Sequence, residues 1–457
     1  MIGKFRRPGR DTLSARALRG SALVLVSQGG SQVLRLLSNL VLTRLLFPEA
    51  FGLMALVQVV LVGLEMLSAV GVRVTIIQHP RGRDPLFLNT AWVVQIGRGV
   101  LIWLVVLAAA GPVSAFYGHE ELQFLLIVAG ISVVISGFQS TNMASANREL
   151  VLGRLTIVEL GAQTLAILMM ILLAWLTGSV WALIFGRITM AISLVTLSHT
   201  ILPGIRNRPA WDPKAFWDIF HFGKYILFGS AAAFVISNGD RAVLGKFVSL
   251  AELGVYNIGF VMATLPIVVA RRLSSQILLP YFVHAREGDT GLQRQRIRRA
   301  RSAVALGFIS VSLFLALIGD WLIGVLYSDA YRLAGPLTVL IALAFIPSII
   351  LEAYSQYLLA SGRSAHQSIL VTMQASLQLA LMIFFVGQYG LIGAVMAPPL
   401  AIAAIYAPTA FIMRKQGIWD PKLDIALLLY AIAGAVFVLW VNDTAIAQVI
   451  SGIPDDG

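Results

Sequence analysis

The 457-residue sequence contains no cysteine. Disulfides, thiolate nucleophiles and cysteine-ligated zinc are therefore excluded. Charge is also scarce, at 12% of residues, where a soluble globular domain carries about 25%. Acids are the scarcer sign: 22 Asp and Glu face 34 Lys and Arg, for a net charge of +12. No P-loop, HExxH or GxSxG motif occurs, so an ATP-driven pump would need a partner to supply its motor. The six histidines are scattered. Only His119, beside Glu120 and Glu121, forms a cluster, and in a short connection it reads as solvated surface. No catalytic residue, metal site or cofactor is expected.

What the sequence has instead is apolar length. Hydrophobic residues make up 58% of the chain, and the mean hydropathy is +0.84. A spanning helix needs roughly 20 apolar residues. Runs of that kind lie near 20–46, 52–77, 87–110, 122–144, 155–177, 179–199, 221–246, 253–272, 302–325, 334–359, 366–387, 390–413 and 423–441, thirteen in all. The fold expected is all-α and polytopic. The basic start, Met1 to Arg10, precedes a first run too long for the core of a cleaved signal, so that run is read as a spanning helix.

A basic balance can signal nucleic acid, with Lys and Arg clustered on a polar domain. Here they fall in short gaps between apolar runs, which is the membrane pattern, and no nucleic-acid partner is expected. One set of gaps carries most of them: Lys4 to Arg19, Arg81 and Arg83, Arg148 and Arg154, Arg206 to Lys214, Arg271 to Arg301, Arg363, and Arg414 to Lys422. The opposite gaps hold Arg332 with acids such as Glu120, Glu121 and Asp329. This asymmetry places the N-terminus in the cytoplasm, and thirteen spans would leave the C-terminus outside. The segment Gln293 to Arg301 mixes charge with apolar residues. It fits an interfacial helix against anionic headgroups, or equally a solvated loop.

An internal duplication is visible. Ser38-Asn39 followed by Phe51-Gly52-Leu53 resembles Ser237-Asn238 followed by Leu253-Gly254-Val255, at offsets of 199 and 202 residues. Six runs precede the basic gap at 201–219, and a second set starts from the same side. The division expected is 1–205 for a first six-helix bundle, 206–415 for a second, and 416–457 for an additional hydrophobic helix and tail. Substrate sites in duplicated transporters lie between the halves.

Ionisable groups at membrane depth cost about 2.5–3.5 kcal/mol each on insertion scales and are functional candidates. Arg35, Arg44, Arg73, Arg98, Arg187, Lys224, Arg241 and Lys246 are such groups, although Lys224 and Lys246 are near enough to helix ends to snorkel. In the first run, Gln28, Gln32, Arg35 and Asn39 are spaced four, three and four, on one helical face that Thr43 continues. Such a stripe lines an aqueous cavity or bonds to another helix. In the seventh run Ser230, Ser237 and Arg241 share a face, with Asn238 and Asp240 close by. Adjacent residues diverge on a helix, so Asp240 and Arg241 need not pair; Asp240 could bind a cation or proton, or neutralise Arg44 or another arginine. Gln95 with Arg98, Glu159 with Gln163, and Glu352 with Gln356 are further candidates. Glu65 and Arg73 would pair only loosely. Asp240, Glu159 and Glu352 are the candidate coupling carboxylates.

Several short motifs fall in a familiar order. Leu42-Thr-Arg-Leu-Leu-Phe-Pro-Glu-Ala-Phe-Gly-Leu53 is followed by Gly71-Val-Arg-Val-Thr-Ile-Ile-Gln78, by Gly178-Ser-Val-Trp-Ala-Leu183, and by Ser237 to Lys246 with Leu253-Gly-Val-Tyr256. Over residues 20 to 410 the chain resembles the polysaccharide transporter family of bacterial lipid-linked oligosaccharide flippases. The resemblance implies the fold of multidrug extruders and lipid II flippases, with two six-helix bundles around a central cleft. It also implies a bacterial inner-membrane location and flipping of polyprenyl-pyrophosphate-linked glycans, without enzymatic activity, with polysaccharide polymerase and chain-length machinery as candidate partners. The odd span count departs from the twelve or fourteen usual there. On this reading Gln28, Gln32, Arg35, Asn39, Arg44, Arg98, Asn238, Asp240 and Arg241 line the cleft. Three rivals remain: a cation-coupled drug antiporter on the same fold; a membrane polymerase or ligase, which would need larger outer loops than these; and, more remotely, a non-transporting scaffold.

Overall fold

The computed structural model describes residues 29–68, 71–149, 151–284 and 291–451. Among them every regular element is helical. The apolar runs dictate this, because a chain in hydrocarbon must satisfy its backbone hydrogen bonds internally. In order the helices are α1 (29–45), α2 (Pro48–Leu67), α3 (Val72–Gln78), α4 (Pro85–Tyr117), α5 (Glu121–Gly137), α6 (Asn142–Arg148), α7 (Leu152–Thr177) and α8 (Trp181–Thr200). There follow α9 (Pro213–Phe247), α10 (Leu250–His284), α11 (Gly291–Leu326), α12 (Ala334–Ala360), α13 (Ser364–Lys415), α14 (Pro421–Val441) and α15 (Asp443–Ser451).

Local chemistry sets the ends. Asp84 and Asp420 cap α4 and α14, accepting from the amides of Leu86 and Leu423, each with proline at the first helical position. Gly118 and Gly178 close α4 and α7 in the left-handed conformation.

Nine helices among the described residues are long and apolar enough to cross a membrane, or ten if α5 and α6, bent by 58°, make one broken span. Thirteen spans were expected, and the difference has identifiable causes. The 52 residues of α13 would extend about 78 Å at 1.5 Å per residue, far beyond a hydrocarbon core of about 30 Å. They are two spans joined at Gly390, whose φ of 54° and ψ of −127° are non-helical. The first expected span begins outside the described residues, and α9 carries Asp218, Asp240, Arg241 and Lys246 within its length. Large side chains such as Trp175 (70% exposed), Phe314 (61%) and Trp440 (73%) point outward, as a lipid-facing surface requires.

The chain divides into two compact units. The first comprises 1–46 and 60–228; in it α4 packs on α5, α7 on α8 and α5 on α8. Val72, Ile76, Phe87, Leu88, Ala144 and Ile219 form one of its cores. The second comprises 47–59 and 229–457; there α12 is central, packing on α10, α11, α13 and α14.

Candidate functional site

In the first unit, α1 is helical over its described length, so Gln32, Arg35 and Asn39 keep their common face. Gln28 lies outside the described residues, as does the Lys224 side chain. Arg35 and Arg44 are exposed, and Gln32 and Asn39 are half-buried. Thr43 is buried and donates its hydroxyl to the Asn39 carbonyl at 2.8 Å. Gln163 of α7 engages Ser31, accepting from its hydroxyl at 2.7 Å and donating to its carbonyl at 2.9 Å. That is interhelical bonding beside the stripe, while Arg35 stays exposed.

Three other helices bring together charges that are far apart in sequence. Arg187 of α8 donates to Glu65 Oε1 of α2 at 3.0 Å and to Ser132 Oγ of α5 at 2.9 Å. Arg98 of α4 donates to the Glu65 carbonyl at 2.5 Å and to Ser68 Oγ at 3.2 Å. The expected loose pairing of Glu65 with Arg73 is corrected: Glu65 binds Arg187, and Arg73 is instead the opposing charge felt by Glu159. The Glu65 side chain is 37% exposed and that of Arg187 22%. The two charges satisfy one another, as ionisable groups within membrane spans do. Two guanidiniums against one carboxylate leave the cluster net positive, and guanidinium forks suit phosphate oxygens. Gln95 does not join them. Its amide donates to the carbonyls of Ser136, Gly137 and Gln139 at the end of α5.

In the second unit Asp240 and Arg241, which helix geometry does not oblige to pair, are within ion-pair distance. Arg241 Nη1 lies 3.5 Å from Asp240 Oδ1, because the long side chain folds back along α9 to donate to the Ser237 carbonyl at 3.0 Å. Arg241 also donates to Asn257 Oδ1 at 2.8 Å and stacks 4.2 Å from the Phe260 ring centre. The Tyr256 hydroxyl donates to Asp240 Oδ2 at 2.9 Å. Both charges are buried, at 3% and 8% exposure, so Asp240 neutralises its own neighbour. Asn238 donates to the Ser237 hydroxyl. Glu352 is likewise held, by Arg271 at 3.6 Å and by the Gln356 amide at 2.7 Å. Two of the candidate coupling carboxylates are thus in ion pairs with arginine.

Sequence reasoning missed one further centre. Arg301 of α11 pairs with Asp424 of α14, both almost fully buried. Asp424 also accepts from the hydroxyls of Tyr354 (2.6 Å) and Tyr406 (2.8 Å). A signal existed, since Asp424 is an acid just inside an apolar run. Its partner lies 123 positions away.

Loop charges in the first unit form a separate knot. Arg81 bridges Asp84 (2.8 Å) and Asp212 (2.7 Å), tying the segment before α9 to the start of α4. Hydrogen bonds from this guanidinium hold both carboxyls below the usual carboxylate range. Asn142 exchanges two bonds with the backbone of Ile205 on the same connection. Among the described residues no group of three or more His, Cys, Asp or Glu could hold a metal ion.

The teichuronic acid biosynthesis protein TuaB of Bacillus subtilis is 21% identical over 61% of this chain and 57% of its own length. The lipopolysaccharide biosynthesis protein WzxC of Escherichia coli is 20% identical over 72% of this chain and 67% of its own. The chain therefore spans a little over half to two thirds of these relatives. Among solved structures, the lipid II flippase MurJ in an inward closed conformation superposes with a TM-score of 0.69 at 12% identity, covering 93% of this chain and 97% of that one. An inward-facing multidrug resistance MATE family transporter gives 0.55 at 14% identity, covering 90% and 96%. These likenesses establish the fold as that of MurJ and the MATE transporters. Residues 41–336 match the family described as polysaccharide biosynthesis protein, and the chain belongs to that family.

Proposed function

We propose that this protein is an exporter that carries polyprenyl-pyrophosphate-linked oligosaccharides across the bacterial inner membrane by alternating access, for surface polysaccharide synthesis. The observation that carries the reading is the set of exposed or half-buried arginines within the apolar spans. Arg35 and Arg44 are exposed on α1, and Arg98 and Arg187 surround Glu65. A guanidinium is charged at every relevant pH and grips phosphate oxygens with paired donors. The pyrophosphate would be drawn to these groups while Gln32 and Asn39 bond to sugar hydroxyls. The lipid chain stays in the bilayer, so only the polar head needs a wet path. No bond is made or broken, and the protein acts as a transporter rather than an enzyme. The basic connections favour a cytoplasmic N-terminus. Polysaccharide polymerase and chain-length machinery would take over the product on the outer side.

Asp240 and Arg241 act in this reading as a buried support for α9 and α10, beside the path rather than in contact with substrate. Arg35→Ala and Arg187→Ala should each abolish polysaccharide export at normal protein level in the membrane. Normal export in both variants would remove the arginines from the substrate path. The rival antiporter shares the fold and needs a carboxylate free to bind a cation. Asp240 and Glu352 are engaged by arginine, and Glu159 has Arg73 as its opposing charge, which disfavours it.

A further inference from the structure

The two glycines that mark the internal duplication meet in the folded second unit. A Cβ on Gly52 of α2 would fall on the carbonyl oxygen of Leu250, 2.8 Å from its carbonyl carbon and 3.1 Å from its Cα. A Cβ on Gly254 of α10 would fall on the carbonyl oxygen of Pro48, 2.8 Å from its carbonyl carbon and 3.1 Å from the Gly52 nitrogen. The contact is reciprocal. The first carbonyl of each helix lies over the glycine four residues into the other, and the offset from 48 to 250 equals that from 52 to 254. Every blocking atom is backbone, which cannot rotate aside as a side chain does. Only hydrogen fits at either position, as in close crossings of membrane helices. Around the contact Leu53, Leu56, Val57, Leu253 and Tyr256 are buried, and Phe51 sets its ring edge-on to Tyr331 at 5.8 Å.

We propose that Gly52 and Gly254 form the contact at which the outer end of the transport path closes and must part on each cycle. This rests on the function and orientation proposed above, by which the starts of α2 and α10 both face outward. Two glycine surfaces suit a repeated opening. At the glycines themselves the approach is backbone to backbone, so separation there breaks no ion pair, while the buried side chains around them, Leu253 among them, become accessible. A Cβ at either position wedges the contact and favours the open form.

The absence of native cysteine gives a clean background for the test. Leu253→Cys, at a side chain that is fully buried, is exposed in intact cells to a membrane-impermeant maleimide, with Gly52 and Gly254 native or replaced by alanine. The proposal expects labelling to rise about tenfold in Gly52→Ala and Gly254→Ala, the shift produced by weakening the closed form by about 1.4 kcal/mol. Because an alanine variant can fail to insert, a second arm keeps both glycines. Ala50→Cys with Ala251→Cys, bridged by a short linker that reductant cleaves, should stop glycan flipping, and reductant should restore it. Unchanged labelling in inserted alanine variants, or full-rate flipping by the bridged protein, would overturn the proposal. Labelling needs no substrate. If it rises while the unbridged protein flips no glycan, the closure stands and the transport reading fails.

Discussion

Replacing Asp424 by asparagine isolates the worth of one buried charge. The asparagine keeps an acceptor oxygen for Tyr354 and Tyr406, which donate at 2.6 and 2.8 Å, and it keeps the shape of the site. What it removes is the countercharge to Arg301, 5% exposed and stacked 4.1 Å from the Tyr354 ring centre. A buried ion stripped of its partner costs about 3–5 kcal/mol. At about 2–4 °C per kcal/mol for a unit of this size, the melting temperature should fall by about 6–20 °C. Heating detergent-solubilised protein and measuring the fraction that stays monodisperse reads this directly. Replacing both partners by apolar residues, Arg301→Met with Asp424→Leu, leaves no orphan charge and should recover most of the loss. An Asp424→Asn protein that melts with the wild type, or a double variant worse than the single, would refute the reasoning. Arg298 and Asp420, paired at 2.7 Å next to this centre, are more exposed and should matter far less.

Two other expectations follow from local geometry. Gly390 has a positive φ with an extended negative ψ, a conformation nearly closed to other residues, so Gly390→Ala should cost about 1–3 kcal/mol and lower the melting temperature, whereas Gly387→Ala, where an added Cβ would meet only a ring carbon of Phe247 at 3.8 Å, should not. The knot at Arg81 should weaken in acid. Its two carboxyls titrate lower folded than unfolded, so their contribution is complete above the unfolded carboxylate range of about 4 and is lost as pH falls through the lower folded values. Hydrogen exchange at the Arg81 and Asp212 amides, corrected for intrinsic rates, should speed up in that window, and Arg81→Ala should abolish the pH dependence.

Composition and run length made the helical class and most span positions legible, because the hydrocarbon core imposes a length that apolar runs must match. The join inside α13 was legible too, since the two runs separate at 388–389, next to Gly390. The pairing of side chains was not. Periodicity puts Arg35 and Asn39 on one face, but it cannot bring Arg187 to Glu65 across 122 positions or Arg301 to Asp424 across 123. Asp240 and Arg241 show the opposite failure. Neighbours on a helix diverge at Cβ, yet the long flexible guanidinium of Arg241 folds back along α9 to its neighbour's carboxylate. The duplication was visible as two glycine marks, and only the folded chain revealed that the marks touch.

Transport of a lipid-linked glycan can be measured in the cell. The direct measurement is deletion of the gene in its host, with surface polysaccharide and lipid-linked intermediates assayed together. Surface polysaccharide should be lost, with complete repeat units held on the cytoplasmic leaflet. Normal polysaccharide with heightened sensitivity to cationic drugs would contradict glycan transport and favour the antiporter.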